Sequence, residues 1–383
     1  MTALDIIKTY QDEMTAIRRD FHIHPELGLE EHRTADIVAK KLESWGIEVH
    51  RGVGVTGVVG VIRKGTGGKR IGLRADMDCL PMDEMTNLPY RSQTAGKMHA
   101  CGHDGHTTML LAAAKYLAQE ATFNGTVNLI FQPGEEGIGG ALAMLDDGLF
   151  DRFPCDSIYA LHNRPGLEIG QYCISPGPSS AGGAFFDIKI TGVGAHGARP
   201  EVSIDPVLIA SHIVTALQSI VARNVPPSET AVLSVTRIVA GEAYNVIPES
   251  ATIAGTARAF NADVMRKIED NMKRIAKGVA EGFGATAEVD FRVIFAPLIN
   301  APEPTRLIAD AAASLVGEDK VDRNKPPSMG SEDFSFMMEK VTGAYIQVGN
   351  GDSAQLHNPA YDFNDACTPY GAAVLATVAV QNL

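Results

Sequence analysis

Residues 98–107 read MHACGHDGHT and place His99, Cys101, His103 and His106 within eight positions of a 383-residue chain that holds only 11 His and five Cys. Imidazole and thiolate are ligands for borderline divalent metals. Cys101 and His103 flank Gly102. On extended backbone, residues i and i+2 point to the same side, and glycine permits close approach, so both can reach one ion. The pattern is not a zinc finger, because no second Cys or His pair stands at finger spacing. His99 and His106 read as structural members of the cluster.

Glu135 and Glu136 follow FQPG. Buried together, two carboxylates raise each other's pKa. On an extended segment they point different ways, so one can bind metal while the other moves protons. A solvated loop is the alternative. His162 closes the apolar run SIYAL, and His357 lies in LHNP about 195 residues later. Cys101, His103, Glu136, His162 and His357 together offer N, S and O ligands. Five such donors suit two divalent ions about 3.5–4 Å apart better than one ion. One thiolate and one carboxylate leave about +2 of uncompensated charge, which a hydroxide and an anionic substrate would balance. Asp76 and Asp78 of RADMD either orient a ligand histidine or cap the next helix. Glu332 and Asp333 of MGSEDF receive no role.

Such residues need rigid elements to bring them together. A chain of this length is expected to form two domains. Residues 3–46 read as helix, turn, helix, the second opening at Pro25. Strand-like runs follow at TGVVGVIRK, RIGLRADMD, GTVNLIFQ and SIYALHN, with a strong helix at TTMLLAAAKYLAQEA. This rhythm predicts an α/β fold, a mixed sheet covered by helices. The chemistry-bearing segments follow strands, and ligands of open α/β sheets bind at the carboxyl ends of strands. From 183 to 294 the texture becomes a strand–helix–strand block, which predicts a smaller inserted α+β domain. Residues 1–182 and 295–383 then form a discontinuous catalytic domain.

The net charge of −13 argues against nucleic-acid and anionic-lipid partners. No uninterrupted apolar h-region opens the chain, and no run of about 18 apolar residues suggests a membrane span. Cysteines 79, 101, 155, 173 and 367 are sparse and odd in number. That usage fits a reducing compartment, and a cytoplasmic location is expected.

Taken in order, these motifs resemble the N-acyl-amino-acid amidohydrolases, which include hippurate hydrolases and plant indole-acetyl-amino-acid hydrolases, within the aminoacylase, dipeptidase and carboxypeptidase superfamily. The resemblance runs through HPELGLEE (24–31), GLRADMDCLP (72–81), MHACGHDGHT, QPGEEG (132–137), LHN (161–163), GVGAHGARP (192–200), NVIPE (245–249), MGSEDFS (329–335) and LHNPAYDFND (356–365). It implies that Cys101, His103, Glu136, His162 and His357 bind two metal ions, with Zn, Mn, Co and Ni all candidates. Glu135 falls at the general base. The inserted block becomes a lid or dimerisation domain, and a homodimer or homotetramer is implied. His196 corresponds to a histidine that reaches a neighbouring subunit's site and polarises the scissile carbonyl. Asn245 and Arg258 lie where relatives gather the substrate carboxylate. Guanidinium geometry suits a carboxylate clamp, although Arg258 also reads as a strand-surface arginine paired with an acid. Cys79, Gly134 and Glu201 depart from common family forms, and none removes a ligand or the base.

The expected activity is hydrolysis of N-acyl amino acids, small-molecule substrates. One alternative is a metal dipeptidase or carboxypeptidase on the same scaffold. Others are a metal-storage or metal-sensing protein, or a peptide binder with a relic site. Glu135 beside a ligand counts against pure metal binding.

Overall fold

A computed structural model of the chain describes residues 1–383 and divides into two compact units. The first comprises Met1–Ser179, Ile299–Pro326 and Asp333–Leu383, and the second Ser180–Leu298 with Pro327–Glu332.

The first unit is built on an eight-stranded mixed sheet. Its order is Glu48–Val53, Gly57–Lys64, Gly125–Gln132, Arg70–Asp76, Ser157–Pro165, Gly343–Gly351, Tyr172–Cys173 and Val321–Asp322. The four strands from Gly125–Gln132 to Gly343–Gly351 run parallel. They are almost wholly buried, as parallel strands covered on both faces must be. Their carboxyl ends meet one edge, and the loops bearing Asp78, Glu135, Glu136 and His357 leave from it. His162 sits near the end of its own strand. The helix His103–Gln119 is buried on all sides from His103 to Ala114. The apolar run near the C-terminus is the buried helix Thr368–Asn382. The expected α/β architecture is borne out.

The N-terminal helix boundary differs. Three helices, Ala3–Lys8, Gln11–Ile23 and His32–Ser44, occupy the N-terminal region, and none opens at Pro25. The carboxylate of Glu26 accepts the amides of Arg33 and Thr34 at 3.0 and 2.8 Å. It thereby satisfies free N–H groups at the true helix start. Leu27 is meanwhile drawn into a parallel bridge with Cys79.

The second unit holds a four-stranded antiparallel sheet in the order Ala231–Ala240, Ser250–Ala259, Gly182–Thr191 and Thr286–Phe295. Its buried side chains pack with those of the helices Pro206–Ser219 and Ala262–Gly282. Asp205 caps the first helix by accepting from Val207 and Leu208, with Pro206 at the first helical position. The segment Pro206–Asn224 is long and apolar enough to cross a membrane by composition. Ile209, Ala210, Ile213 and Leu217 instead pack into this unit's core, which makes it a domain helix. The segment 327–332 belongs here because the Ala181 amide donates to the carbonyls of Ser328 and Gly330 at 3.1 and 3.0 Å. The sequence reading kept that segment with 295–383.

A buried charge network lies beneath the first turn of His103–Gln119. His22, fully buried, places Nδ1 2.8 Å from Asp104 Oδ2 and Nε2 3.2 Å from Glu84 Oε2. Arg18 also reaches Asp104, at 3.4 Å, and Asp365, at 2.7 Å. Burial works against a charged His22, but Asp104 and Glu84 outweigh it and hold the imidazole up to about 9. A raised histidine contributes stability that is fully present below its ordinary value of 6.5 and is lost as pH rises through about 9. His22→Asn is therefore expected to be less stable than the native chain at pH 6 in urea unfolding, with the gap narrowing by about pH 10. A gap independent of pH would show that the charge on His22 contributes nothing.

Candidate metal centre

Gly102 sets the geometry of the cluster. It stands at φ +89° at the helix N-cap, and a Cβ there would lie 2.6 Å from Asn163 Oδ1 and 2.7 Å from the Tyr361 hydroxyl. Only glycine tolerates both the left-handed backbone and the close approach. Cys101 and His103 thus converge through a tight turn into a helix, not along the extended backbone expected. The result is still one cluster. Ligand atoms of Cys101, His103 and His162 lie within 4.8 Å of one another, and Cys101 Sγ is 3.3 Å from His162 Nε2.

The histidines are oriented from behind. His103 Nδ1 lies 3.0 Å from Asp78 Oδ1, and His162 Nδ1 lies 2.7 Å from the Asn163 carbonyl oxygen. Neither oxygen can donate, so each Nδ1 carries a proton and Nε2 is the ring atom left to face the cluster. His357 sits at φ +63°, tied by its amide to the Ala100 carbonyl at 2.8 Å. Its Nε2 is 3.3 Å from Glu136 Oε1. Cys101, Glu136 and His357 form a second group whose ligand atoms lie within 4.8 Å.

Glu135 and Glu136 occupy a turn, closed by the Gly137 amide donating to the Glu135 carbonyl at 2.6 Å. The turn aims both carboxylates at His103, with ligand atoms of the three within 4.8 Å, where an extended segment would have splayed them. Two buried acids hold it. Asp78 Oδ2 accepts the Glu136 amide at 2.9 Å. Glu31 accepts the Gly134 amide at 2.8 Å and the Thr56 hydroxyl at 2.6 Å. Glu135 is 6% exposed and accepts the Asp333 amide at 3.3 Å.

All five expected ligands and Glu135 therefore lie in one place in the first unit. His196, Asn245 and Arg258 belong to the second unit. There Val246 pairs with His196, and the Gly197 amide donates to the Asn245 carbonyl at 2.7 Å. His196 Nδ1 accepts the Ala198 amide at 3.0 Å, so Nε2 carries the proton on an exposed side chain. Arg258 is half-buried on Ser250–Ala259 and bonds Thr256 Oγ1 and the Ala257 carbonyl. No carboxylate pairs with it, so the surface ion-pair reading of Arg258 fails.

The remaining candidates resolve by their contacts. His106 commits both ring nitrogens, to Asp76 Oδ1 at 2.6 Å and to Asn163 Oδ1 at 2.8 Å. Asp76 also receives Arg74 at 2.7 Å. Asp333 accepts from Gln132 at 2.7 Å and from the Ala141 amide at 2.9 Å. Glu332 is buried as well. His99 is buried without a hydrogen bond, and burial pushes it down to about 4. Glu31, Asn163 and Tyr361 escaped the sequence reading. Nothing in HPELGLEE separates Glu31 from Glu30, and the other two acquire roles only once Gly102 is folded against them.

The donor set fits divalent metal. His103 Nε2 and Glu136 Oε1 are buried, 4.0 Å apart, and hydrogen-bond nothing, an arrangement costly unless a cation lies between. The 3.3 Å spacings of Cys101–His162 and His357–Glu136 match the roughly 3.3–3.6 Å that tetrahedral geometry gives for bonds of about 2.0–2.3 Å. Burial raises the Cys101 thiol, and burial with neighbouring His106 lowers His162. Neighbouring Cys101 and Glu136 hold His357 up to about 10. Burial works against a charged His103, but Asp76 and Cys101 outweigh it and raise the ring well above its ordinary value. Binding must displace protons from Cys101, His103 and His357.

Asp78 is the support shared by two donors. In Asp78→Asn the amide can accept from only one of His103 and the Glu136 amide. Metal affinity, read by competition with a chelator at fixed pH, is expected to fall about 10–100-fold. Unchanged affinity would remove Asp78 from this role.

The profile of peptidase family M20/M25/M40 matches residues 72–381. A hippurate hydrolase of Campylobacter jejuni subsp. jejuni is 43% identical over 100% of both chains. The IAA-amino acid hydrolase ILR1-like 4 of Arabidopsis thaliana is 40% identical over 97% of this chain and 86% of its own. Among solved structures, the Bacillus subtilis YXEP protein, described as a dinuclear metal binding peptidase from the M20 family, superposes with a TM-score of 0.84. It is 33% identical, covering 98% of this chain and all of its own. The chain belongs to peptidase family M20/M25/M40.

Proposed function

We propose that the chain is a two-metal amidohydrolase that cleaves N-acyl amino acids to a carboxylic acid and a free amino acid. One observation carries the reading: Glu135 is buried among the proposed ligands, poised for a role that metal storage does not require. Cys101, His103, Glu136, His162 and His357 would hold two divalent ions, of which Zn, Mn, Co and Ni all suit an N, S, O donor set. When bound, such ions supply Lewis acidity and make water acidic enough to attack near neutral pH. Glu135 takes the proton from the attacking water and returns it to the leaving amine nitrogen. His196, with its proton on the exposed Nε2, donates to the carbonyl oxygen as negative charge develops, from a neighbouring subunit as the family resemblance implies. Arg258, free of any carboxylate, is the clamp for the substrate carboxylate, with Asn245 beside His196 as a second donor. The activities named for the hippurate and IAA-amino acid hydrolases support this substrate class.

The proposal extends to assembly and location. Ala231–Ala240 is an edge strand carrying exposed Val232, Ile238 and Val239, which supports self-association through the second unit. A homodimer or homotetramer in sedimentation velocity is expected, and a monomer at working concentration would remove this part. Five unpaired cysteines suit a reducing compartment such as the cytoplasm.

The test is hydrolysis of benzoylglycine and other N-acyl amino acids by metal-stripped protein reloaded stepwise. Activity should return with about two equivalents of divalent metal per chain. Glu135→Gln should bind the same metal yet lose at least about a hundredfold in kcat. Arg258→Ala should raise KM for acyl amino acids and leave acyl amides lacking the carboxylate little changed. Preference for free dipeptides over blocked substrates would favour the dipeptidase alternative, and full metal binding without turnover would refute the enzyme.

A further inference from the structure

The sheet face that carries His162 continues past the metal centre into a cationic cluster that the reaction does not use. Arg164 follows His162 by two residues on the same strand, so both side chains leave from one face, their Cα atoms roughly 7 Å apart. Gln347 pairs with His162 across Ser157–Pro165 and Gly343–Gly351, and with Cys173 on its other side. The Arg164 guanidinium reaches over this row. Its Nη1 lies 3.1 Å from Gln347 Oε1 and 3.1 Å from Cys173 Sγ.

Lys325 completes the cluster. It is only 5% exposed, and Cys173 and Arg164 are the titratable groups close enough to act on it. No carboxylate and no hydrogen-bond acceptor sits on its ammonium. The Asp322 carboxylate instead accepts the Asn324 amide at 2.9 Å and pairs with neither cation. Two basic groups so close, neither neutralised by a carboxylate, repel each other. Across the rest of the first unit, buried cations have acids: Arg18 has Asp104 and Asp365, and Arg74 has Asp76 and Asp333. In a chain of net charge −13 the shortage is local. Gln347 and the protonated Cys173 add polar, uncharged contacts.

We infer that Arg164 and Lys325, with Gln347 beside Arg164, form a subsite for a second carboxylate on the substrate, beside the His162 end of the metal centre. That carboxylate belongs either to the side chain of an acidic amino acid or to a dicarboxylic acyl group. The inference rests on the acyl-amino-acid reading and deepens it: the preferred substrates carry one anionic group more than benzoylglycine. A planar guanidinium and a point-charge ammonium can grip two oxygens from different directions, whereas a neutral amide of the same size gains neither charge-assisted bond.

The test compares kcat/KM within matched pairs, using the metal-loaded full chain. N-benzoylglutamate against N-benzoylglutamine reads the side-chain source, and N-succinylglycine against N-butanoylglycine reads the acyl source. One pair should favour the charged member by about tenfold or more. Arg164→Gln and Lys325→Met should each collapse that ratio toward one. A structural defect lowers both members equally and leaves the ratio alone. Ratios near one in both pairs for the native chain, or a ratio that survives both substitutions, overturn the subsite while benzoylglycine turnover sustains the parent reading. Failure to hydrolyse any acyl amino acid overturns both.

Discussion

The carboxylate of Asp78 faces two ways within a buried space: one oxygen takes the His103 ring, the other the Glu136 amide. A set of donors that repel one another, or carry lone pairs pointed at a common centre, does not assemble itself. It must be held in place before the cation arrives. Asp78 does this for two donors from different loops, just past the carboxyl end of Arg70–Asp76. The remaining donors come from segments at or beyond the ends of neighbouring strands. Only a parallel arrangement delivers those ends to one edge, so the need for convergent donors and the sheet topology are one constraint.

Holding acids in a buried site requires counter-charge. Arg74 is fully buried and reaches Asp76, Asp333 and Gln132, which links the strand end to the loop behind Glu135. Arg18 and His22 do the same for Asp104 under the helix that starts with His103. Buried pairs of this kind roughly break even against apolar packing, while loss of one partner is costly. They therefore specify geometry more than they stabilise. The cores of the two units, rich in Leu, Ile, Val, Ala and Met, carry the stability.

The donors were legible because their chemistry is rare: few residue types bind divalent metal, and this chain uses them sparingly. The alternation of strands and helices was legible for the same reason that it folds, since β-branched runs and helical periodicity separate cleanly here. What escaped was set by backbone. The turns at Gly102 and 134–137 replace extended segments, and the left-handed conformations of Gly102, Gly134 and Gly137 disclose this. The helix start at His32 depends on Glu26 reaching seven and eight residues ahead, beyond the span of local capping patterns. The segment 327–332 joins the second unit through backbone bonds to Ala181, which no side-chain pattern records.

The donors are not equally enclosed, and the difference bears on what the centre is for. Cys101 and His103 are buried, and the Glu136 side chain is 14% exposed. The His357 side chain is 54% exposed and is carried on a left-handed residue. A site built to keep its metal surrounds it, whereas one that turns over must leave a direction from which water and substrate approach. His357 marks that direction. Glu135, the proposed base, lies on the enclosed side, where desolvation would strengthen its electrostatic hold on a proton. With Glu135 as the proposed base, one open donor and one buried carboxylate outside the ligand set are the asymmetry that hydrolysis needs and that storage does not.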